Sequence, residues 1–545
     1  MLAAHAPALK LVGIEEGETA WSAALQAGGG CWVAIVVGAS PFTRELHQFL
    51  LDFDRQTAED SKDDIRLWVV AEDREIPSHI ANICITVILE PPEGVRHKVV
   101  GTLSAWGRYE AEAPLVRVHA CLALVHALAQ ERRAYIPHGW SRWYAWGWGE
   151  VQACARGARS VSGGGGARAL ATARALCGAL YGARVAQEAD ARILRALVRN
   201  CLPQRALAHD WAPPAAPRPL PHHTRLQAYI HEFESWPELE PPRLLGLPAN
   251  CRVAWENNAA SGIIAGLREF NSTINVKKND SVTPMKTLLA LWKKLMSGNP
   301  LIKADYKMEK TCAGWWGCVC EGEARECAAA ARRVHSALAA FASATQTNAH
   351  AHALTTVPED WQLQWAGPVT PDAYLKELSV RAWAAIERLK THPDDYMPPE
   401  VDLRSFARPQ RVVWALRAHS ARRLQRPPHQ LALAAHWQPR EGGSEVEGDA
   451  GLVVRGLRLS GAAWDGALRA AAPSAPPHCA APPLLLRYVP STEDPIPSSR
   501  SLELPVYGNE DRDELLFHVN APLATDYDKD TATLNALALF IAPVD

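Results

Sequence analysis

Cys31-Trp-Val-Ala-Ile-Val-Val37 and Ile65-Arg-Leu-Trp-Val-Val-Ala71 are near-continuous apolar runs rich in β-branched residues. Such runs mark parallel strands buried on both faces. Between them Phe42, Leu46, Phe49, Leu50 and Phe53 recur at helical spacing. Pro41 to Arg55 is therefore read as a crossover helix, and Cys31 to Asp73 as a strand–helix–strand unit of the α/β nucleotide-binding kind. An ATP-hydrolysing site needs acidic metal- and water-positioning groups just past the first of these strands. This protein supplies Gly38, Ala39 and Ser40 there. The scaffold is of the nucleotide-binding type, without its catalytic groups.

At 545 residues the chain exceeds one hydrophobic core, and about 150 residues per domain divides it into roughly three or four units. A hydrophobic share of 48% gives each unit enough material to fold. The 57 basic and 59 acidic residues nearly cancel, which removes the electrostatic case for nucleic acid or an anionic membrane and leaves partners to be recognised by shape. Twelve cysteines are scattered from Cys31 to Cys479, and Lys10 is followed by Glu15, Glu16 and Glu18 in place of a secretory leader. Reduced thiols in a cytosolic protein are expected. The longest apolar stretch, Val118 to Ala129, is interrupted by His119 and His126 and falls short of the ~20 residues of a spanning helix, so a soluble protein is expected.

Composition shifts mark joints at Trp211–Pro221, Asn271–Pro284, Arg440–Asp449 and Ala470–Pro483, each a loop or linker by its Pro, Gly and polar content. Between the joints the sequence reads as mainly helical to about residue 435. Three- and four-residue spacing predicts helices at Leu115–Arg133, Ala167–Tyr181, Ala191–Leu202, Met285–Met296, Ala328–Ser343, Ala373–Leu389 and Arg411–Arg423. After residue 450 the pattern turns to short apolar runs at Gly451–Arg455, Leu457–Leu459, Leu484–Val489, Leu502–Tyr507, Leu515–Val519 and Leu537–Ile541. These predict a small β module, read as barrel-like. The fold class is thus α+β and multidomain: a partial α/β module (1–110), a first helical group (111–225), a second helical region (226–440) and the β module (441–545).

Candidate sites weigh poorly. No Gly-x-x-x-x-Gly-Lys occurs, so nothing closes on phosphates as a P-loop does. The runs Gly28–Gly30 and Gly163–Gly166 read as flexible turns. Cys312, Cys318, Cys320 and Cys327 cluster, yet Cys318 and Cys320 are one residue apart and Cys327 is read at a helix start, which is not the paired-knuckle spacing of structural zinc. Trp140, Trp143, Tyr144, Trp146 and Trp148 with Arg142 have the types of a base-stacking surface, but near-neutral charge favours a loop of packing anchors. His119 and His126 read as core or edge residues. Neither a Ser/His/Asp arrangement nor His-Glu-x-x-His is found. No catalytic, cofactor-binding or metal-ligating residue is assigned.

Ala129-Gln-Glu-Arg-Arg133, ending an apolar helix and followed by Pro137-His-Gly-Trp140, resembles the Gln-Glu-Arg-Arg and Gly-Trp signature of dynein heavy chains just past their sixth AAA+ module. Physically, Arg132 and Arg133 suit a helix C-terminus, where cations offset the dipole and bond free carbonyls, and Gly139 permits the turn. The resemblance continues in order. Gly30-Cys-Trp-Val33 and Arg66-Leu-Trp-Val69 are similar to two strands of that module, and Glu90-Pro-Pro-Glu-Gly-Val-Arg96 to the lead into its lid helices. Tyr181–Val185, Gly246–Asn250, Trp361–Pro368, Phe406–Pro409 with Ala421-Arg422, Gly456–Asp465 and Leu504–Tyr507 follow. Within the family, Gly246-Leu-Pro-Ala-Asn250, Leu291-Trp-Lys-Lys-Leu295, Val334-His-Ser-Ala-Leu338 and Ala538-Leu-Phe540 resemble the cytoplasmic dynein 2 class, the retrograde motors of intraflagellar transport. Axonemal heavy chains are the nearest rival. The sequence departs from the family at Gly182-Ala183, where Gly-Gly is common, and at Arg159–Gly166 and Asn271–Pro284.

The resemblance implies the closing arc of an AAA+ motor ring: the end of a structural, non-hydrolysing sixth module from about Gly13–Glu18 onward, lid helices across 111–225, and a C-terminal cap. It implies a minus-end-directed microtubule motor of cytoplasm, cytoskeleton and cilium, whose ATP, Mg and microtubule contacts belong to heavy-chain regions outside this sequence. Partners would be the rest of the heavy-chain ring and, through the complex, intermediate, light intermediate and light chains, with no nucleic acid or membrane. The opposing reading is a stand-alone helical scaffold or adaptor without motor activity. On its own, this polypeptide is expected neither to bind ATP at micromolar affinity nor to hydrolyse it, and to be poorly soluble through an unpaired sheet edge.

Overall fold

The computed structural model describes the backbone of 9–13, 32–37 and 66–71, residue 85, and everything from 92 onward except 108–112, 162, 164, 214–215, 217, 238–241, 275–284, 304–313, 345–356, 359–360, 362–369, 392–396, 439–450, 493–499 and 543–545. Two compact units divide it at Pro91/Pro92.

In the first unit, the two decisive runs form adjacent parallel strands. β1 (Leu9–Gly13), β2 (Trp32–Val37) and β3 (Arg66–Ala71) lie in that order. Trp32 is opposite Arg66 and Val37 opposite Ala71, while Leu9 pairs with Trp32. β1 is a strand that periodicity did not reveal. The crossover helix read at Pro41–Arg55 and the groups Gly38 to Ser40 lie outside the described residues.

The second unit opens with six helices: α1 (Val95–Ala105), α2 (Ala113–Glu131), α3 (Trp148–Ser160), α4 (Gly166–Gly182), α5 (Glu188–Cys201) and α6 (Leu226–Glu234). Every residue of α2 from Leu115 to Ala129 is buried, so it carries no polar face and is the central helix around which the others pack. By length and composition Ala113–Tyr135 could cross a membrane, but 83% of its apolar window is buried in the fold. α5 is the opposite case: Ile193, Leu194, Leu197, Val198 and Cys201 face inward, while Glu188 and Asp190 lie in the first turn and Arg199 in the last, matching the helix dipole. Their shared core includes Trp140, Trp146, Tyr181, Tyr229 and Phe233 and runs on through Leu247 and Cys251, past residue 225 where the sequence reading ends this group.

Next come α7 (Cys251–Ile274), α8 (Met285–Leu295), α9 (Trp315–Ala344), α10 (Pro371–Thr391) and, after strand β4 (Glu400–Asp402), α11 (Gln410–Arg423). α9 begins thirteen residues before the helix read at Ala328, so Cys327 lies within it and not at a helix start.

The remaining strands are β5 (Leu431–Trp437), β6 (Leu452–Arg455), β7 (Leu457–Ser460), β8 (Ala462–Trp464), β9 (Leu468–Ala470), β10 (His478–Ala480), β11 (Leu484–Pro490), β12 (Ser501–Tyr507), β13 (Leu515–Pro522) and β14 (Ala538–Ile541); a short helix α12 (Lys529–Leu534) precedes β14. They make two open sheets, β10-β7-β14-β12-β13 and β4-β6-β11-β5, plus the β8-β9 hairpin. The barrel-like expectation is therefore corrected: among the described residues no sheet closes on itself. The sheets also recruit Glu400–Asp402 and Leu431–Trp437, upstream of residue 441, and β10 occupies the stretch read as an Ala/Pro linker. α8 to α11 and both sheets share one core, with Trp292, Val334, Leu378 and Leu416 meeting Leu452, Leu486, Leu504 and Leu539. The second helical region and the β module are thus one body, because neither the helices' apolar stripes nor the sheets' inner faces are covered without the other.

Candidate functional site at the seam between the helical bundle and the sheets

The helical bundle and the C-terminal sheets meet where α2 ends. After Glu131 the backbone tightens into a 3-10 turn, Arg132–Tyr135, which sends the Arg132 side chain into the interior, fully buried. Its Nε donates to the Gly139 carbonyl at 3.1 Å, Nη1 to the Leu245 carbonyl at 2.5 Å and Nη2 to the Leu534 carbonyl at 2.9 Å. One planar guanidinium thus ties three segments, the last 402 positions away, using a rigid fork that lysine lacks. The Trp140 ring faces it at 5.2 Å. Burial lowers its pKa to about 10, so it is charged at neutral pH. The sequence reading placed both Arg132 and Arg133 on helix-end carbonyls. Arg133 does this at Gln130 O and also bonds Tyr144 O in the loop that follows, whereas Arg132 crosses the seam.

The glycine of the Gly-Trp pair is demanded by this packing. A Cβ on Gly139 would stand 1.9 Å from the Arg132 carbonyl oxygen, a clash between backbones that no rotamer relieves. At Gly246 φ is 68°, and a Cβ would meet Leu534 Cβ at 3.0 Å, so the Gly246–Asn250 segment turns in a left-handed conformation directly against α12.

Asp190, buried in the first turn of α5, pins the loop that follows. Its carboxylate accepts from Ser141 N–H at 3.1 Å, Ser141 Oγ at 2.6 Å and Tyr144 OH at 2.7 Å. That loop drives Trp140, Tyr144 and Trp146 into the core, where the Trp140 and Trp146 rings meet edge-on at 4.9 Å. Trp143, 63% exposed, lies under Arg133 at 5.1 Å, and Trp148 is at the surface. Three of the five aromatics are therefore packing anchors, as the near-neutral charge suggested.

A second link crosses beside the first. His138 Nε2 is 2.9 Å from Ser460 Oγ on β7, its ring stacks on His478 at 6.0 Å between centroids, and His478 Nε2 meets Glu510 at 2.8 Å. Burial, then the nearby Arg512 guanidinium and the His478 ring, push the His138 imidazole down to about 3. A base held that weak and facing the Arg512 cation is unsuited to activating the serine; the pair is a neutral hydrogen-bonded link. Rim contacts complete the seam: Arg192 with Glu503, Arg199 with Asp530 at 2.8 Å, and Asn250 Nδ2 to Pro476 O at 2.8 Å.

The second body has its own buried anchor. Glu323 on α9 accepts from the N–H groups of Ala407 at 2.6 Å and Arg408 at 2.9 Å, capturing the backbone of the Phe406–Pro409 motif, and burial raises its pKa. Of the cysteine cluster, Cys318 is exposed while Cys320 and Cys327 are buried; Cys312 lies outside the described residues. Among the described residues no three His, Cys, Asp or Glu side chains converge as metal ligands. His119 and His126 are core residues of α2, bonded to Leu115 O at 2.8 Å and Tyr181 OH at 2.7 Å. What the seam offers is mechanical: backbone carbonyls of distant segments held on buried side chains.

Comparison with known proteins agrees with these boundaries. The family model described as the dynein heavy chain AAA lid domain matches residues 116–251, and the model of the C-terminal domain of dynein heavy chains matches 323–541. The two flank the seam. The protein is 24% identical over 88% of its length to cytoplasmic dynein 2 heavy chain 1 of Caenorhabditis elegans, and 26% identical over 88% to that of Tripneustes gratilla. Against the Homo sapiens protein of the same name it is 25% identical over 86%. It spans 11–12% of the length of these relatives. The domains matched are the lid and C-terminal domains, not P-loop modules. This protein belongs to the dynein heavy chain family and carries its AAA lid and C-terminal domains.

Proposed function

We propose that this polypeptide is a structural, non-hydrolysing part of the AAA+ ring of a minus-end-directed microtubule motor, of the cytoplasmic dynein 2 class that serves retrograde intraflagellar transport in cilia. Its task is to bind lid and C-terminal domain into one rigid element that passes motion between ring neighbours. Packed helices shift as units and suit this role. The observation that carries the reading is Arg132, whose three carbonyl bonds join α2, the Gly246 segment and α12 in one interior point. ATP and Mg act in modules outside this sequence, and the intermediate, light intermediate and light chains join through the whole complex. The relatives' names support the choice of dynein 2 over an axonemal motor.

The test is a chimera: residues 92–545 replace the corresponding segment of a cytoplasmic dynein 2 heavy chain, and microtubule gliding and ATP turnover are measured. Gliding retained by the chimera and lost in its Arg132→Met form, with ATP turnover persisting, is expected. A folded chimera that hydrolyses ATP but moves no microtubules would favour a stand-alone scaffold.

A further inference from the structure

Two thiols inside the helical bundle meet without any role in the seam. Cys154 on α3 and Cys177 on α4 are buried, and their sulfurs are 3.7 Å apart, hydrogen-bonded, across 23 positions of sequence. The helices approach closely there because the facing residues are small: Ala155, Ala158, Ala169 and Ala173 are buried beside them, and a Cβ on Gly157 would meet Leu176 Cδ1 at 2.2 Å. Closing a disulfide needs the sulfurs at about 2.05 Å. The approach required is small, and the connection between the helices is short and holds Gly163 and Gly165, the latter at φ 90°.

We propose that Cys154 and Cys177 form an oxidation site, a disulfide that staples α3 to α4 within the lid and stiffens the bundle. With glutathione disulfide as oxidant, one protein thiolate attacks a glutathione sulfur and releases one glutathione. The second protein thiolate then displaces the other from the mixed disulfide. Two protein S–H bonds and one glutathione S–S bond break, the Cys154–Cys177 bond forms, and two electrons and two protons leave on two glutathiones. The hydrogen bond to Cys154, then burial, raise the Cys177 pKa; the exchange therefore runs through transient opening of the α3–α4 pair and is slow in the closed fold. Stapling bears on the bundle core because Tyr181, in the last turn of α4, has a carbonyl that accepts from Trp146 Nε1 at 3.1 Å and a hydroxyl that meets His126.

The experiment treats the full 545-residue protein with glutathione disulfide, blocks remaining thiols under denaturing conditions and maps peptides without reduction. A Cys154–Cys177 cross-linked peptide, lighter by two hydrogens and reversed by dithiothreitol, is expected, with a thermal midpoint a few degrees above that of the reduced protein. Cys177→Ala loses both effects, and Cys121→Ala, in the same core, keeps them. The mapping on the unmodified protein decides the matter even where a variant folds poorly. Glutathione adducts confined to exposed Cys318, or a Cys121–Cys201 pairing, would overturn the proposal.

Discussion

Acidification should loosen the helical bundle well before its carboxylates titrate, because three histidines are buried in the neutral form. His119 and His126 are pushed down to about 4 and His138 to about 3, in each case mainly by burial. In the unfolded state each takes up its proton near 6.5. A histidine whose folded value is lowered binds fewer protons folded than unfolded. Its contribution is complete above 6.5 and drains as pH falls towards the folded value, at about 1.4 kcal/mol per pH unit. Moving from about pH 7.5 to about pH 5 therefore removes about 2 kcal/mol per histidine and about 6 kcal/mol for the three. Glu323, raised by burial, works in the opposite direction but lies in the other core. The assay is urea unfolding followed by tryptophan fluorescence, with hydrogen exchange along Ala113–Glu131 as the local readout. His126→Gln, which retains a partner for Tyr181 OH, should recover about 2 kcal/mol of the acid loss. Stability along α2 unchanged between those two pH values would refute the reasoning.

Arg132→Met removes three carbonyl bonds and leaves buried acceptors unpaired, against relief of one buried cation, for a net loss of about 3–5 kcal/mol; denaturant titration should show it, and an unchanged midpoint would deny Arg132 its place at the seam. Gly139→Ala, with its Cβ facing the Arg132 carbonyl at 1.9 Å, should destabilise by more than ~2 kcal/mol and expose Trp140, read as a red shift in emission. Glu323→Ala leaves the Ala407 and Arg408 N–H groups without their acceptor and should cost about 2–4 kcal/mol, with faster hydrogen exchange at those two amides as the local signature.

Local pattern carried much of this protein. The parallel strands at Trp32–Val37 and Arg66–Ala71, seven helices and six short C-terminal runs were legible because a strand or helix stamps its own period on neighbouring residues. The central helix α2 was found by its apolar run. Helices α1, α3, α6, α7 and α12 and the strands β1, β4, β5 and β8 to β10 were not, being short, weakly patterned or rich in Ala and Pro. The Gln-Glu-Arg-Arg and Gly-Trp motif pointed to the right family while its arginine was given only a helix-end role.

The sequence by itself determined element type, the family and the absence of a P-loop motif. Only the tertiary structure decided that Arg132 holds Leu534 O, that His138 bonds Ser460, and that two open sheets share a core with the helices before them. The reason is physical. A backbone carbonyl is offered by every residue, so nothing in the letters marks the one, 402 positions away, that a buried guanidinium will find; packing of the two cores chooses it.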